Sequence, residues 1–260
     1  MTEPLPAFFE FVAPEHWRSI DFISDLHLCE AMPRTFDAWA AHLRNTSADA
    51  VFILGDLFEL WVGDDMRDRP FEQRCVNELA EAASRLQTAF MAGNRDFLVG
   101  GQMLRDSGLM ALPDPTLLVA WGQRVLLSHG DALCVADKPY QVFRAEVRSP
   151  LWQQRFLAKP LAERLAIAAQ IRRASQANHA QRQFDGDASA DVDFAAAVGW
   201  LHLMGGNELV HGHTHRPGSE VLAPGYKRHV LSDWDLDTAQ RAEVLRLSRD
   251  GFERVAPSAA

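Results

Sequence analysis

Apolar positions in this chain gather into short runs that stop abruptly on polar groups. Such runs stand at SIDFIS (19–24), DAVFIL (49–54), TAFMAG (88–93), RVLLS (124–128) and ELVHG (208–212). Short apolar runs bounded by glycine and polar residues predict buried strands. Stretches 35–45, 71–87 and 100–107 repeat apolar residues at helical spacing and predict amphipathic helices between the early strands. The order β-α-β-α predicts a mostly parallel sheet with helices on its faces. Two more runs, near 227–232 and 242–248, have no helix between them and predict a second sheet or an antiparallel edge. Residues 1–18, with their acids and prolines, read as a loose extension before the first strand.

Residues 138 to 206 break this rhythm, being helix-rich and nearly without strand signal. From Arg144 to Arg182 eight Arg or Lys stand against only Glu146 and Glu163, a net charge of +6, with Leu151, Trp152, Phe156 and Leu157 among them. DGDASADVD (185–193) then predicts a polar loop before a final helix. The expected organisation is an N-terminal extension (1–18), a core (19–137), a helical cap insertion (138–193) and the rest of the core (194–260).

With 260 residues, 47% of them hydrophobic, the chain can bury the core of one large domain carrying an insertion. A formal net charge of −9 argues against a general nucleic-acid binder. Cys29, Cys75 and Cys134 are odd in number and far apart. They match neither a disulfide framework nor a CxxC metal site, which fits a reducing compartment. MTEPLPAFFEFVAPEHW lacks the basic and apolar regions of a signal peptide, and no apolar run approaches a membrane span of about 18 residues. The expectation is a cytosolic or peripheral protein.

The groups that end each strand carry the chemistry. After the first run come Ser24, Asp25, Leu26 and His27; after the second, Gly55 and Asp56; after the third, Gly93 and Asn94. After the fourth come His129, Gly130 and Asp131, and after the fifth His213, Thr214 and His215. In open α/β sheets ligands bind outside the carboxyl ends of the strands. Five segments therefore aim carboxylate, imidazole or amide groups at one place. A set without thiolates suits harder divalent ions such as Mn²⁺, Fe²⁺ or Zn²⁺. It holds more ligands than one ion needs, and a carboxylate, with Asp56 the candidate, can bridge two ions about 3.5–4 Å apart, the arrangement of hydrolytic phosphoester sites. Taken singly, DxH, GD and GN are ordinary strand-end polarity or turns. The two imidazoles of HGHTH, one residue apart, rarely serve packing.

The ordered set DxH…GD…GN…H…GHxH resembles the calcineurin-like metallophosphoesterases. The longer stretches FISDLHL, ILGDLFELWVGDD, GNRDFLVG, SHGDALC and VHGHTHRP are similar to the UDP-2,3-diacylglucosamine diphosphatase family of lipid A biosynthesis, from about Ser19 to about Trp234. The resemblance implies an α/β fold, a sandwich of two β-sheets flanked by helices with an inserted helical cap. It implies one metal held by Asp25, His27, Asp56 and His215, and a second by Asp56, Asn94, His129 and His213, with Mn²⁺ preferred. It implies hydrolysis of UDP-2,3-diacylglucosamine to UMP and 2,3-diacylglucosamine 1-phosphate by attack of water on the α-phosphate, with Asn94 and Arg95 at the reacting centre. Substrate contacts would fall on Asn94, Arg95, Asp137, Ser175, His179, Arg182 and His213. His179 and Arg182 stand where that family often has Asn and Lys. The same resemblance implies a nucleotide-linked glycolipid substrate and peripheral attachment to the cytoplasmic face of the inner membrane, with no protein partner.

Many metallophosphoesterases carry His where this chain has Arg95. An alkoxide leaving group is strongly basic and benefits from an acid. A phosphate monoester has a second pKa of about 6 and can leave unprotonated, but it carries concentrated negative charge. A guanidinium stays charged and binds phosphate bidentately, so GNRD reads as a site for cleaving a phosphate–phosphate bond. Pairing of Arg95 with Asp96 or another nearby acid is the structural alternative. For the cap, basic residues interleaved with Trp152 and Phe156 suit an anionic lipid surface. Leu161, Leu165, Ile167, Ala168 and Ile171 have the spacing of a small core of their own. Asp64 and Asp65 could support Asp56 or bind the cap's cations. A soluble phosphodiesterase or nucleotide pyrophosphatase of the same fold, and a non-catalytic binding module, are the competing readings.

Overall fold

The computed structural model describes residues 9–185 and 191–259, with side chains for 9–173 and 191–259. Twelve strands form two six-stranded sheets. The first has the order β1 (Phe9–Val12), β6 (Thr116–Ala120), β7 (Gln123–Leu127), β8 (Glu208–His211), β10 (Tyr226–Val230), β9 (Gly218–Ala223). The second has the order β12 (Gly251–Val255), β11 (Val244–Ser248), β2 (Ser19–Ile23), β3 (Ala50–Leu54), β4 (Gln87–Met91), β5 (Met110–Leu112). Strands β2 to β5 are mutually parallel, and β11 adds antiparallel to β2 with register Leu245↔Phe22. The two late strands, expected to form a second sheet or an antiparallel edge, go to different sheets: β10 joins the first beside β8, and β11 the second, antiparallel to β2.

Alternation along the strands explains the layering. Ile20 and Phe22 of β2 and Ala50, Phe52 and Leu54 of β3 face Leu118, Val125, Leu127 and Val210 of the other sheet. Ile23, Val51 and Ile53 point the opposite way, toward α1 (Pro33–Asn45) and α2 (Pro70–Ala83). These helices supply Phe36, Trp39, Ala40 and Leu43, and Cys75, Val76, Leu79 and Ala82, at helical spacing. Strands covered on both faces read as continuous apolar runs. On the far side, α7 (Phe194–Met204) packs Ala197, Leu201 and Met204 on Leu117, Leu126 and Leu209. The result is four layers, helices–sheet–sheet–helix. A short α3 (Gly101–Ser107) follows β4.

Two expectations are corrected here. Residues 9–18 are not a loose extension: β1 pairs in parallel with β6, Ala13 N donates to Val119 O (2.9 Å), and Trp17 is buried. The helical insertion, α4 (Lys138–Val147), α5 (Pro150–Leu157) and α6 (Leu161–Asp185), has no separate core. Phe156 is buried in the main core under α1 and α2, and Trp152, Leu161, Leu165, Ile167 and Ala168 pack against it. Trp152 lies parallel to Phe156, with ring centroids 4.6 Å apart. Among the described residues, the exposed large apolar positions of the insertion are instead Val142, Leu151, Leu157 and Ile171. No disulfide forms among the described residues, and Cys75 and Cys134 are buried.

Candidate active site

The C-terminal ends of β2, β3 and β4 in one sheet and of β7 and β8 in the other meet at one end of the sandwich. The turns leaving them bring Asp25, His27, Asp56, Asn94, His129, His213 and His215 together. Of the seven non-glycine residues with positive φ among those described, five belong to this set: Asp25 (53°), His27 (48°), Asp56 (52°), His213 (66°) and His215 (53°). Left-handed backbone is uncommon for non-glycine residues and collects at functional sites. Here it turns each chain back on itself directly after the strand and so aims side chains inward. The glycines of the GD and GN motifs permit the crowding. Gly55 has φ 92°, and a Cβ there would lie 2.8 Å from Gly93 Cα, while one on Gly93 would collide with the amide and carboxylate of Asp56.

The surroundings of the ring nitrogens test whether this set suits cations. His129 Nδ1 lies 2.9 Å from the Leu54 carbonyl, so Nδ1 carries a proton and it is the neutral ring whose Nε2 presents a lone pair. That Nε2 faces only acceptors, Asn94 Oδ1 at 3.0 Å and Asp56 Oδ1 at 3.7 Å. His27 Nδ1 is 3.1 Å from Glu59 Oε2, and His215 Nδ1 is 3.6 Å from Asp233 Oδ2, which leaves His27 Nε2 and His215 Nε2 facing each other at 3.3 Å. Asp25 Oδ1 is wholly buried without a hydrogen-bond partner and lies 3.3 Å from His215 Nε2 and 4.0 Å from His27 Nε2. Its other oxygen accepts from Ser24 Oγ (2.5 Å) and His213 N (2.9 Å). Asp56 turns Oδ2 toward His27 Nε2 (4.0 Å) and Oδ1 toward His129 Nε2, so one carboxylate faces both clusters. His213 Nδ1 lies 2.8 Å from Asn94 Oδ1. Acceptors converging in a buried site need positive charge between them, from ring protons or from metal ions, and the donor set of imidazole, carboxylate and amide fits divalent ions. Asp25, His27 and His215 form one group close enough to share an ion, and Asp25, Asp56 and His129 another.

The electrostatics agree. Burial alone would lower the His129 imidazole, yet the Asp56 and Asp25 carboxylates raise it to about 9. His213 is depressed to about 4, first by burial and then by His129. Burial works to raise the Asp25 carboxyl, but the His215 imidazole 3.3 Å away and the surrounding imidazoles hold it far below the usual carboxylate range.

Three acids outside the seven expected ligands organise the site. Asp96 Oδ1 and Oδ2 accept from the backbone amides of Gly93 (2.8 Å), Leu57 (2.8 Å), Asp56 (3.3 Å) and Phe58 (3.3 Å), stitching the β3 and β4 exits together. It is therefore occupied by backbone rather than by Arg95. Burial, then the neighbouring Asp56 charge, push the Asp96 carboxyl up to about 7, against these donors. Asp131, buried, accepts from Tyr140 Oη (2.7 Å), Arg144 Nε (2.8 Å) and Arg148 Nη2 (3.4 Å), and so anchors α4. The third, Glu59, places Oε2 3.1 Å from His27 Nδ1 and pairs with Arg172 of α6. Asp96 and Asp131 each stand two residues after a ligand, a spacing that could have signalled them.

Arg95 keeps its place in the site through its backbone: Arg95 N donates to Asp56 Oδ1 (2.8 Å) and its carbonyl accepts from Trp61 N (3.1 Å). Its buried Nε has no hydrogen-bond partner among the described residues. The Tyr140 ring stacks over His213 with centroids 6.0 Å apart, giving that residue a role the sequence did not suggest. Arg148 reaches the Gly93 carbonyl at 2.9 Å. Among the described residues Asp64 has no contact with Asp56 or with a cap cation: it accepts from the amides of Gly100, Gln102 and Met103 (2.8–3.0 Å) at the start of α3. Asp65 does take a cap cation, Arg164. Four of the cap's arginines, 144, 148, 164 and 172, are thus paired with acids of the core. Asp137 caps α4, its Oδ1 accepting from Tyr140 N at 3.1 Å. The side chains of Ser175, His179 and Arg182 lie outside the described residues.

A model of the calcineurin-like phosphoesterase family matches residues 18–217. A protein of Xanthomonas axonopodis pv. citri named UDP-2,3-diacylglucosamine hydrolase is 44% identical over 240 residues, covering 88% of this chain and 95% of its own. Proteins of the same name from Xanthomonas campestris pv. campestris (40% over 242 residues, covering 89% and 96%) and Chromobacterium violaceum (44% over 227 residues, covering 83% and 90%) are also similar. With the two-sheet sandwich and its strand-end cluster, these matches establish that the chain belongs to the calcineurin-like phosphoesterase family.

Proposed function

We propose that this protein hydrolyses the diphosphate bond of UDP-2,3-diacylglucosamine, releasing UMP and 2,3-diacylglucosamine 1-phosphate for lipid A synthesis. The observation that carries the reading is the double cluster of imidazole, carboxylate and amide groups around Asp56, under a helical insertion, in a chain whose relatives bear that hydrolase name over most of their length. Asp25, His27, Asp56 and His215 would hold one divalent ion, and Asp56, Asn94, His129 and His213 the other. Bound there, such ions supply an activated water and neutralise phosphoryl oxygens. Mn²⁺ is the ion we favour.

The chain's own groups do the rest. Arg95, with a buried Nε that needs an acceptor, offers its guanidinium to the diphosphate and stabilises charge as the phosphate–phosphate bond breaks. Tyr140 shields His213 from water on the cap side. The helical insertion over 138–193 covers the substrate, with Asp137, Ser175, His179 and Arg182 as further contacts. Val142, Leu151, Leu157 and Ile171, exposed on it, are apolar surface for acyl chains or bilayer. No described helix is long and apolar enough to cross a membrane; from the hydrolase name of the relatives and these exposed apolar positions we place the protein peripherally on the cytoplasmic face of the inner membrane. The test is hydrolysis in ¹⁸O-labelled water. Attack at the α-phosphate puts the label in UMP, whereas label in the sugar phosphate, or no turnover with Mn²⁺ supplied, refutes the reading.

A further inference from the structure

Glu59 sits where two parts of the molecule meet. It lies three residues after Asp56, on a loop held against the His27 segment by Leu28 N donating to Leu57 O (2.9 Å) and Glu59 N donating to Leu28 O (3.2 Å). Its side chain is only 15% exposed, and its two oxygens have different tasks. Oε2 is 3.1 Å from His27 Nδ1, and Oε1 pairs with Arg172 of α6. Arg172 lies beyond the stretch of α6 that is fixed to the core by other means. Before it, Arg164 binds Asp65 and the Val62 carbonyl, and Leu161, Leu165, Ile167 and Ala168 are packed. Among the described residues, the Glu59 pair is therefore the last polar attachment of α6 to the core before the half of the helix that carries Ser175, His179 and Arg182.

We propose that Glu59 is a positioning residue that holds the ligand His27 in its working tautomer and, with the same carboxylate, fastens the distal half of α6 over the site. The ligand task follows from chemistry. An imidazole that must present Nε2 to a cation needs its Nδ1 proton accepted, and a carboxylate there orients the ring and raises its basicity. The fastening task follows from position, since a partly buried pair at the end of a packed helical stretch decides how far the helix stays docked. Cap and ligand are thus linked through one side chain, so a change in Glu59 affects both and a change in Arg172 affects the cap alone. The inference rests on the hydrolase reading for the site's role, but its test does not use the substrate.

The experiment measures divalent-ion affinity, with Mn²⁺ as the probe, and hydrogen exchange along α6 in the full-length protein. Glu59→Ala should weaken binding by about 10–100-fold, the loss typical of removing such a partner. Glu59→Gln keeps an acceptor for Nδ1 and should fall between Ala and wild type. Both should raise exchange in α6 near Arg172. Arg172→Met should raise that exchange equally while leaving Mn²⁺ affinity within about threefold, an outcome that a merely destabilised fold would not give. If both Glu59 variants bind Mn²⁺ within about twofold of wild type, the ligand task is wrong; if α6 exchange is unchanged in Arg172→Met, the fastening task is wrong. Neither outcome depends on which phosphoester is hydrolysed.

Discussion

Arg95→Ala separates chemistry from architecture because the structure divides the residue's duties. Its amide holds Asp56 Oδ1 and its carbonyl holds Trp61 N, and both survive truncation of the side chain. The side chain beyond Cβ has a buried Nε with no hydrogen-bond partner, so removing it should leave the fold nearly as stable. Losing one preorganised donor to developing charge lowers kcat by about 10²–10³, or roughly 3–4 kcal/mol of transition-state stabilisation. The assay is steady-state release of UMP from UDP-2,3-diacylglucosamine, with metal content measured on the same preparation. Two ions per chain, an unchanged melting temperature and a hundredfold slower turnover are the expected result. Arg95→Lys should restore only part of the rate, because an ammonium cannot bind phosphate as a fork. Arg95→His should remain slow on the diphosphate but gain on diesters with alkoxide leaving groups, where a proton donor helps. Turnover within about threefold of wild type in Arg95→Ala, with metals bound, would sink the reasoning and leave Arg95 a strand-end residue.

Gly93→Ala drives a methyl group into Asp56, whose Cγ would lie 2.9 Å away, so metal binding should fail and turnover drop by at least about 10²; normal metal content in the variant would contradict the close approach. Metal uptake should release protons, because His129 stands at about 9 before binding and must be neutral to ligate; a pH indicator in weak buffer at pH 8 should report acidification on Mn²⁺ addition, and affinity should rise with pH toward 9. Asp21, buried beside Arg246, has its carboxyl lowered from 3.8 to about 2, since the bonds from Arg246, His42 and Thr46 outweigh burial, which acts to raise it. A depressed carboxyl stabilises the fold above its unfolded value of about 4, and the stabilisation fades as pH falls toward 2. Asp21→Asn should therefore remove about 2 kcal/mol of the difference in unfolding free energy between pH 7 and pH 2, and identical pH dependence in denaturant titrations would count against it.

The central strands and all seven strand-end ligand candidates were legible because both are local signals: a run of apolar residues, then groups of one chemistry. What escaped had non-local causes. Residues 9–12 look like part of a proline-rich lead-in, and become a strand only because β6, more than a hundred residues later, offers a parallel edge. The expectation that Trp152 and Phe156 face lipid failed because their burial depends on the main core, which absorbs Phe156. The basic charge of the insertion read as a surface property, yet Arg144, Arg148, Arg164 and Arg172 answer acids scattered at 59, 65 and 131. Asp96 was visible within GNRD only as a neighbour of Arg95, because a carboxylate that serves four amides carries no pattern of its own.

The left-handed backbone at Asp25, His27, Asp56, His213 and His215 has a consequence for how such a protein changes over generations. Each of these positions is held in a conformation that disfavours an L side chain by about 1 kcal/mol or more. Glycine at any of them would relax the turn while deleting a ligand. Selection for thermal robustness without a demand for hydrolysis would therefore erode this cluster before the apolar layers. A lineage freed from its substrate would drift toward a sturdier, inert sandwich, and a stabilisation screen on this scaffold must retain an activity filter at these five positions.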